Sequence, residues 1–287
     1  MKIKVCIPHY FSSSFDKDFY ESKGWSHGSL DGKIKKRTES FDKCLWSLIH
    51  LGNENNDGLL DIRTGVTNKL LNVHKKHDIF ITIVTDGENI CDETLNKYKN
   101  QVSVKKVKLN NSMDLVFETR DELFCDENYD LYFYCEDDIG ISDKKFFNKI
   151  QWFVEQTNHQ GVLMPYRFEN LYSLEIEKIY IDGPIDQNML KKFMIPRNNS
   201  LSLNYKNNTL IFDNPINPHS GTFCLTKNQR DYIIEKGIQR RGDFVSSLES
   251  VATLTAMEFF DIYKPSFKYR KFLEVEHLCT RYNIVDN

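Results

Sequence analysis

The sequence lacks several patterns that assign a chain at once. No C-x-x-C occurs among its seven cysteines, which are scattered from Cys6 to Cys279. An odd and unpaired set argues against both a disulfide framework and a zinc knuckle. No G-x-G-x-x-G follows the first apolar run and no Gly-x-x-x-x-Gly-Lys occurs anywhere, so dinucleotide and P-loop chemistry have no support. No window approaches the roughly 18 apolar residues needed to span a bilayer. The first residues, MKIKVCIPHYF, lack the longer apolar stretch and small-residue cleavage site of a secretory signal. Without such a signal, the Asn-x-Ser/Thr triplets at Asn110, Asn198 and Asn207 carry little meaning. These absences predict a cytoplasmic, reduced protein with no transmembrane segment.

Excess charge is missing too: 38 Lys and Arg stand against 41 Asp and Glu, a net −3. With no dominant basic face, nucleic acid is not an expected partner. The densest basic run, KIKKR at 33–37, reads as a solvated loop, with an anion or peripheral membrane patch as the alternative. What is present is core material, 40% hydrophobic and 13% aromatic residues, enough for a sizeable interior. A length of 287 residues without repeat, low-complexity tract or linker suits one domain over 1–287.

Residues 2–7 read as a first strand stopped by Pro8. Residues 39–51 set Phe41, Leu45, Leu48 and Ile49 on one helical face, and 59–76 read as a second helix. The β-branched run Asp78–Thr85 ends at the turn signal Asp86-Gly87. A helix over 91–99, a half-buried strand over 102–109, a helix over 113–124 and a buried strand at Leu131–Cys135 complete a β-α-β-α-β-α-β order. That order predicts a mainly parallel sheet with helices on its faces, binding its ligand beyond the carboxyl ends of the strands. The second half is more mixed: a helix over 143–155, strands over 161–166, 178–182 and 220–225, an Asn-rich loop with a short hairpin over 198–214, and a helix over 247–260.

The strongest chemical signal is YFYCEDDI at 132–139. An apolar strand that runs into three consecutive carboxylates sets like charges against one another where the core offers little water. A divalent cation resolves that conflict, since hard oxygen ligands suit Mg²⁺ or Mn²⁺, bound through one or two carboxylates plus substrate phosphates. The plainer alternative is a solvated acidic turn near Lys144 and Lys145.

The segment CEDDIGISDKKFFNKIQWF resembles the DxD region of GT-A glycosyltransferases. It is similar in particular to the N-acetylglucosaminyltransferase I type, in which EDD is followed by an Asp and a Phe-Phe pair. The match covers about twenty residues, and Gly140-Ile-Ser departs from the apolar or acidic stretch and Pro of that type. The resemblance implies a GT-A, Rossmann-like sheet with a nucleotide-sugar half at 1–140 and an acceptor half at 141–287. It makes Asp138 the prime ligand of Mn²⁺ or Mg²⁺, and places Glu136 and Asp137 toward ribose, metal or sugar.

Weaker features follow in the order that this resemblance implies. NPHSGTFC at 217–224 is similar to the glycine-containing loop of the donor site, with Gly221 permitting close backbone approach and Ser220 bonding a sugar or phosphate; an ordinary turn is the alternative. Glu249 opens a helix where such enzymes carry the base, with Asp243 as its deputy. Ser246-x-x-Glu249 also reads as a capping box. His277, at the end of an alternating strand with Glu274 and Glu276, fits a late metal- or diphosphate-binding histidine, or an unliganded one. His9, beside Pro8 and Tyr10 after the first strand, and Asp86 after the second, fall where the nucleotide would lie. Arg37 pairs with pyrophosphate or forms an exposed salt bridge, and Arg167 neutralises substrate charge.

The implied activity is metal-dependent transfer, by inversion, of a sugar from a UDP- or GDP-sugar to a glycan or other hydroxyl acceptor. The alternatives are a nucleotidyltransferase, disfavoured because PHYFSSS stands where a Gly-rich basic loop belongs, and a non-catalytic glycan-binding protein.

Overall fold

The structure, a computed structural model, describes residues 1–11, 34–51, 53–54, 58–69, 74–75, 77–171, 175–193 and 199–279. In chain order the elements that matter are β1 (Lys2–Pro8), α1 (Ile34–Leu51), β2 (Asp78–Thr85), α2 (Asp92–Lys97), β3 (Val102–Lys106), α3 (Leu115–Phe124), β4 (Leu131–Cys135) and β5 (Ile139–Gly140). They continue with α4 (Phe146–Gln156), β6 (Gly161–Leu163), β7 (Tyr166–Asn170), β8 (Lys178–Tyr180), β9 (Ser200–Tyr205), β10 (Asn208–Asp213), β11 (Thr222–Thr226), α5 (Lys227–Lys236), α6 (Ser247–Met257), β12 (Asp261–Pro265) and β13 (Glu274–His277).

The fold is α/β. Its central sheet has the order β11-β4-β1-β2-β3, with β4, β1, β2 and β3 parallel and β11 antiparallel to β4. Alternation along β4 explains its wholly apolar sequence. Leu131, Phe133 and Cys135 enter one core with Phe41, Leu45 and Leu48 of α1 and Phe146, Phe147 and Ile150 of α4. Tyr132 and Tyr134 enter the other, with Phe117 of α3 and Val251 and Leu254 of α6. A strand covered on both faces has no polar side, and each large apolar chain buried this way contributes about 1.5–3 kcal/mol. Lys4, the one buried charge of β1, is accommodated by the Glu122 carbonyl oxygen at 2.6 Å and the Glu122 carboxylate at 3.2 Å.

The chain leaves β1 toward β2 on one side and reaches β4 on the other, so the strand order reverses between β1 and β4. Crevices at such a point, beyond the strand carboxyl ends, are where open α/β sheets bind ligands. Two smaller sheets complete the framework: β8-β7-β13-β5, which carries the chain on from the acidic triplet, and β6-β12-β10-β9.

Two local expectations differ from the structure. Residues 59–76 are not a helix: Gly58–Asp61 and Val66–Lys69 form an antiparallel hairpin, with 70–73 and 76 outside the described residues. Gly65 takes a φ of 68° and Asp61 accepts from the Arg63 and Thr64 amides, closing the turn; Leu59, Leu60, Ile62 and Val66 all stay exposed, so no apolar stripe holds a helix there. The edge strand β3 is largely exposed rather than half-buried. Helix α5, mostly polar and not anticipated from the sequence, is set by a capping box between Thr226 and Gln229. Among the described residues no helix is long and apolar enough to cross a membrane, and all seven cysteines are free.

Candidate active site

The acidic triplet lies at the switch point. Glu136 and Asp137 are each 6% exposed, and Asp138 is partly buried. Backbone bonds on both sides fix the segment: the Glu136 amide donates to the Gly221 carbonyl at 3.0 Å, and the Leu278 amide to the Asp138 carbonyl at 2.7 Å. The triplet is thus held between β11 and the end of β13, not left as a solvated turn.

Asp137 is consumed inside the protein. The Cys91 amide donates to His9 Nε2 at 3.0 Å, which leaves the ring proton on Nδ1. Nδ1 in turn donates to Asp137 Oδ2 at 2.7 Å, while the ring stacks on Phe41 at 3.9 Å. Arg37 donates to the other oxygen, Oδ1. Burial works to raise the Asp137 pKa, but Arg37 and His9 together hold it down to about 2. The expectation had Asp137 facing metal, ribose or sugar, and Arg37, placed before the helix, pairing with pyrophosphate or in an exposed salt bridge. Arg37 instead lies within α1, 6% exposed, because its partner sits at the foot of that helix.

Asp138 and His277 form the second pair. His277 Nδ1 is 2.7 Å from Glu169 Oε1, and Nε2 is 3.6 Å from Asp138 Oδ2. The second distance is too long for a hydrogen bond, whereas two ligands each about 2.1 Å from one divalent ion stand about 3 Å or more apart. A carboxylate on the far nitrogen is also what orients a metal-binding histidine. Asp138 Oδ1 is buried and has no hydrogen-bond partner among the described residues.

Glu136 meets a third set of groups. Its Oε1 is likewise buried without a hydrogen-bond partner among the described residues, and His219 Nε2 stands 3.9 Å from it. Burial, and next the Asp138 charge, push its pKa well above the usual carboxylate range. Gly221, with φ at 64°, packs directly beneath: a Cβ there would lie 2.9 Å from Glu136 Oε2. Behind these groups Asp182 binds Arg167 Nε at 2.8 Å and Lys264 Nζ at 2.8 Å. Burial draws Lys264 down to about 8 in spite of that partner.

Along this connected set, the carboxyl groups of Glu136, Asp137, Asp138, Glu169 and Asp182 lie among the basic groups of Arg37, Arg167, Lys264 and His277. Among the described residues no three His, Cys, Asp or Glu side chains converge as a complete metal cage. A magnesium-like ion held by one or two protein ligands and substrate phosphates needs none. The residues fit such an ion at Asp138 and His277.

The other expected residues divide. Glu249, half-buried at the start of α6, accepts from the Ser246 hydroxyl, which itself accepts from the Leu248 amide. That serine orients the carboxylate, and Glu249 lies within electrostatic reach of Glu136. Asp243 is exposed and paired with Arg241 at 2.8 Å, apart from the cluster. Asp86 closes its own turn, accepting from the Glu88 and Asn89 amides. Ser220 is fully buried, its hydroxyl bonded to the Thr222 carbonyl at 2.7 Å. Pro8 ends β1, and half-buried Tyr10 follows His9. Glu274 binds Lys178 and Tyr180, and Glu276 binds Asn170, on the strand face opposite His277. Glu169, Asp182, His219 and Lys264 escaped the sequence reading; a lysine inside the buried strand β12, whose sequence is DIYKP, was the available signal.

No family model matches the chain, and no curated protein matches its sequence. In three dimensions it is similar to residues 1–349 of TarS from S. aureus, at 12% identity over 92% of this chain and 58% of that one, with a TM-score of 0.44. It is also similar to GalNAc-T7 in a structure with UDP, GalNAc and Mn²⁺, at 9% identity over 96% and 43%, TM-score 0.44. A third is CMP:2-keto-3-deoxy-manno-octonic acid synthetase with CTP, at 11% identity over 96% and 90%, TM-score 0.36. The chain thus spans less than two thirds of the first two.

Proposed function

We propose that this chain is a single-domain, metal-dependent glycosyltransferase of the GT-A type, moving a sugar from a nucleoside-diphosphate sugar to a hydroxyl acceptor with inversion. The observation that carries the reading is the buried triplet at the sheet's switch point, whose last carboxylate faces His277 across a gap of 3.6 Å. Asp138 and His277 are the residues that would hold Mn²⁺ or Mg²⁺. When bound, such an ion acts as a Lewis acid toward the departing diphosphate. Arg37, pinned by Asp137 and 3.8 Å from Asp138 Oδ2, fixes the triplet's geometry from the α1 side. Glu249, held by Ser246, is the base that takes the proton of the acceptor hydroxyl as that oxygen attacks the anomeric carbon. The acceptor is a glycan or another sugar hydroxyl. Free cysteines throughout accord with a reducing, cytoplasmic setting.

The test is a screen of common UDP- and GDP-sugars that follows release of the nucleoside diphosphate, with Mn²⁺ and with chelator. Metal-dependent release from one donor is expected. Metal-independent release, or binding of glycans with no nucleotide binding, overturns the reading.

A further inference from the structure

Lys264 is a buried charge that the chemistry above leaves unused, and it stands where the three larger sheets meet. It belongs to β12 and is only 1% exposed. Its Nζ donates to Asp182 Oδ2 at 2.8 Å, just past β8, and to the His219 carbonyl at 2.7 Å, in the loop that enters β11. The centre of the Tyr166 ring lies 5.1 Å from the same nitrogen. From Asp182 the connection runs to Arg167 of β7, through its backbone amide at 2.9 Å and its Nε at 2.8 Å. Two residues further along β7 is Glu169, which holds His277. From the His219 carbonyl the loop runs two residues to Gly221, whose own carbonyl accepts the Glu136 amide at 3.0 Å. The supports of the triplet and of His277 thus converge on one nitrogen.

We propose that Lys264 is a positioning residue: its ammonium clamps the 217–221 loop to β7 and so fixes the acidic triplet against His277 for turnover. The proposal rests on the nucleotide-sugar reading and adds a residue to it. Fold stability alone does not call for a charge here, since a well-packed apolar side chain often replaces a buried ion without loss. Burial draws Lys264 down to about 8, and Asp182 offsets that only in part. The folded value lies below the unfolded one, near 10.4. Between the two the unfolded chain holds more protons, so this group makes the fold more stable as pH rises. A clamp that needs the proton weakens over the same range, because a neutral amine is the poorer donor to Asp182 and to the carbonyl. Stability and turnover then respond to alkali in opposite directions. The charged and titratable groups that face Lys264 are Asp182, Arg167 and Tyr166 on the β7–β8 side and His219 in the loop. Asp213, its register partner on β10, bonds Ser200. Arg270, in the turn after β12, stacks on Tyr180 and Phe267, while Glu249 and Glu258 on the α6 side bond Ser246 and Arg241.

The test compares the wild-type chain with Lys264→Met, and with Lys264→Gln should the methionine variant not fold. Hydrogen exchange at the amides of residues 219–221 needs no ligand. At neutral pH it should quicken about tenfold in the variant, the effect of one lost bond to a charged donor. Diphosphate release from UDP-glucose, UDP-N-acetylglucosamine and GDP-mannose is followed with Mg²⁺ and with Mn²⁺ on both sides of the Lys264 pKa of about 8. Wild-type kcat/KM should fall through an alkaline limb centred there, while its stability in urea rises relative to the variant over the same range. The variant should be about tenfold slower at neutral pH and lack the limb. A limb that persists in the variant, a variant as fast as wild type, or unchanged exchange at 219–221 overturns the positioning role alone. No release from any donor by the wild-type chain overturns the nucleotide-sugar reading, and the positioning role with it.

Discussion

The His9 ring donates from Nδ1 to Asp137 Oδ2 at 2.7 Å, joining the loop after β1 to the loop after β4 across the point where the strand order reverses. Arg37 completes the junction from α1. Removing one partner of a buried ion pair leaves the other charge uncompensated, at about 3–5 kcal/mol. Asp137→Asn should lower the unfolding free energy by that order in urea denaturation. A variant as stable as wild type would show that the junction is not structural.

The same carboxylate sets an acid dependence. Its pKa is depressed from 3.8 to about 2 in the folded chain. A depressed carboxylate contributes its full stabilisation above the unfolded value and loses it as pH falls through the folded one. The wild-type advantage over Asp137→Asn should therefore hold down to about pH 4 and shrink below it, by about 2 kcal/mol in all. An advantage that grows on acidification would contradict the assignment.

Asp138→Ala should reduce metal-dependent diphosphate release by at least about 100-fold and abolish the effect of chelator on the residual rate. Steady-state kinetics with and without Mn²⁺ measure both. An active, metal-responsive Asp138→Ala enzyme rules the proposed mechanism out.

Glu249→Gln keeps the size of the side chain and removes its basicity. Turnover should fall by about 10²–10⁴-fold with donor KM little altered, while Ser246→Ala, which frees the carboxylate without removing it, should cost much less. Comparable losses in both variants would point to a role for Glu249 in building α6 rather than in proton transfer.

Gly221→Ala places a side chain at a φ of 64° and a Cβ 2.9 Å from Glu136 Oε2. The backbone cost is about 1–2 kcal/mol, and the displaced Glu136 should raise donor KM more than the KM for acceptor. Thermal unfolding and donor titration together separate the two effects.

The scaffold was legible in the sequence because it is made of local patterns: the strands at Lys2–Pro8, Asp78–Thr85 and Leu131–Cys135 each announce themselves by β-branched or aromatic runs. The 59–76 segment misled because Leu59, Leu60 and Ile62 look like the start of a helical stripe when nothing in the sequence reveals that they stay in solvent. The triplet was legible because charges abutting an apolar strand are costly wherever they fall. Its internal partition was not. His9 and Asp137 are 128 residues apart, and only the folded sheet tells which of three neighbouring acids turns inward to Arg37 and which turns to His277. Glu169, Asp182 and Lys264 were hidden for the same reason, since each is an ordinary charged residue until its burial is known.

The antiparallel partner of β4 has a consequence during synthesis. β11 begins at Thr222, so it leaves the ribosome roughly 90 residues after β4, some 5–20 s later at ordinary elongation rates. Through that interval LYFYC presents an uncovered edge of the kind that templates aggregation. The three acidic residues at its end are placed to act as gatekeepers, keeping nascent chains apart until β11 arrives.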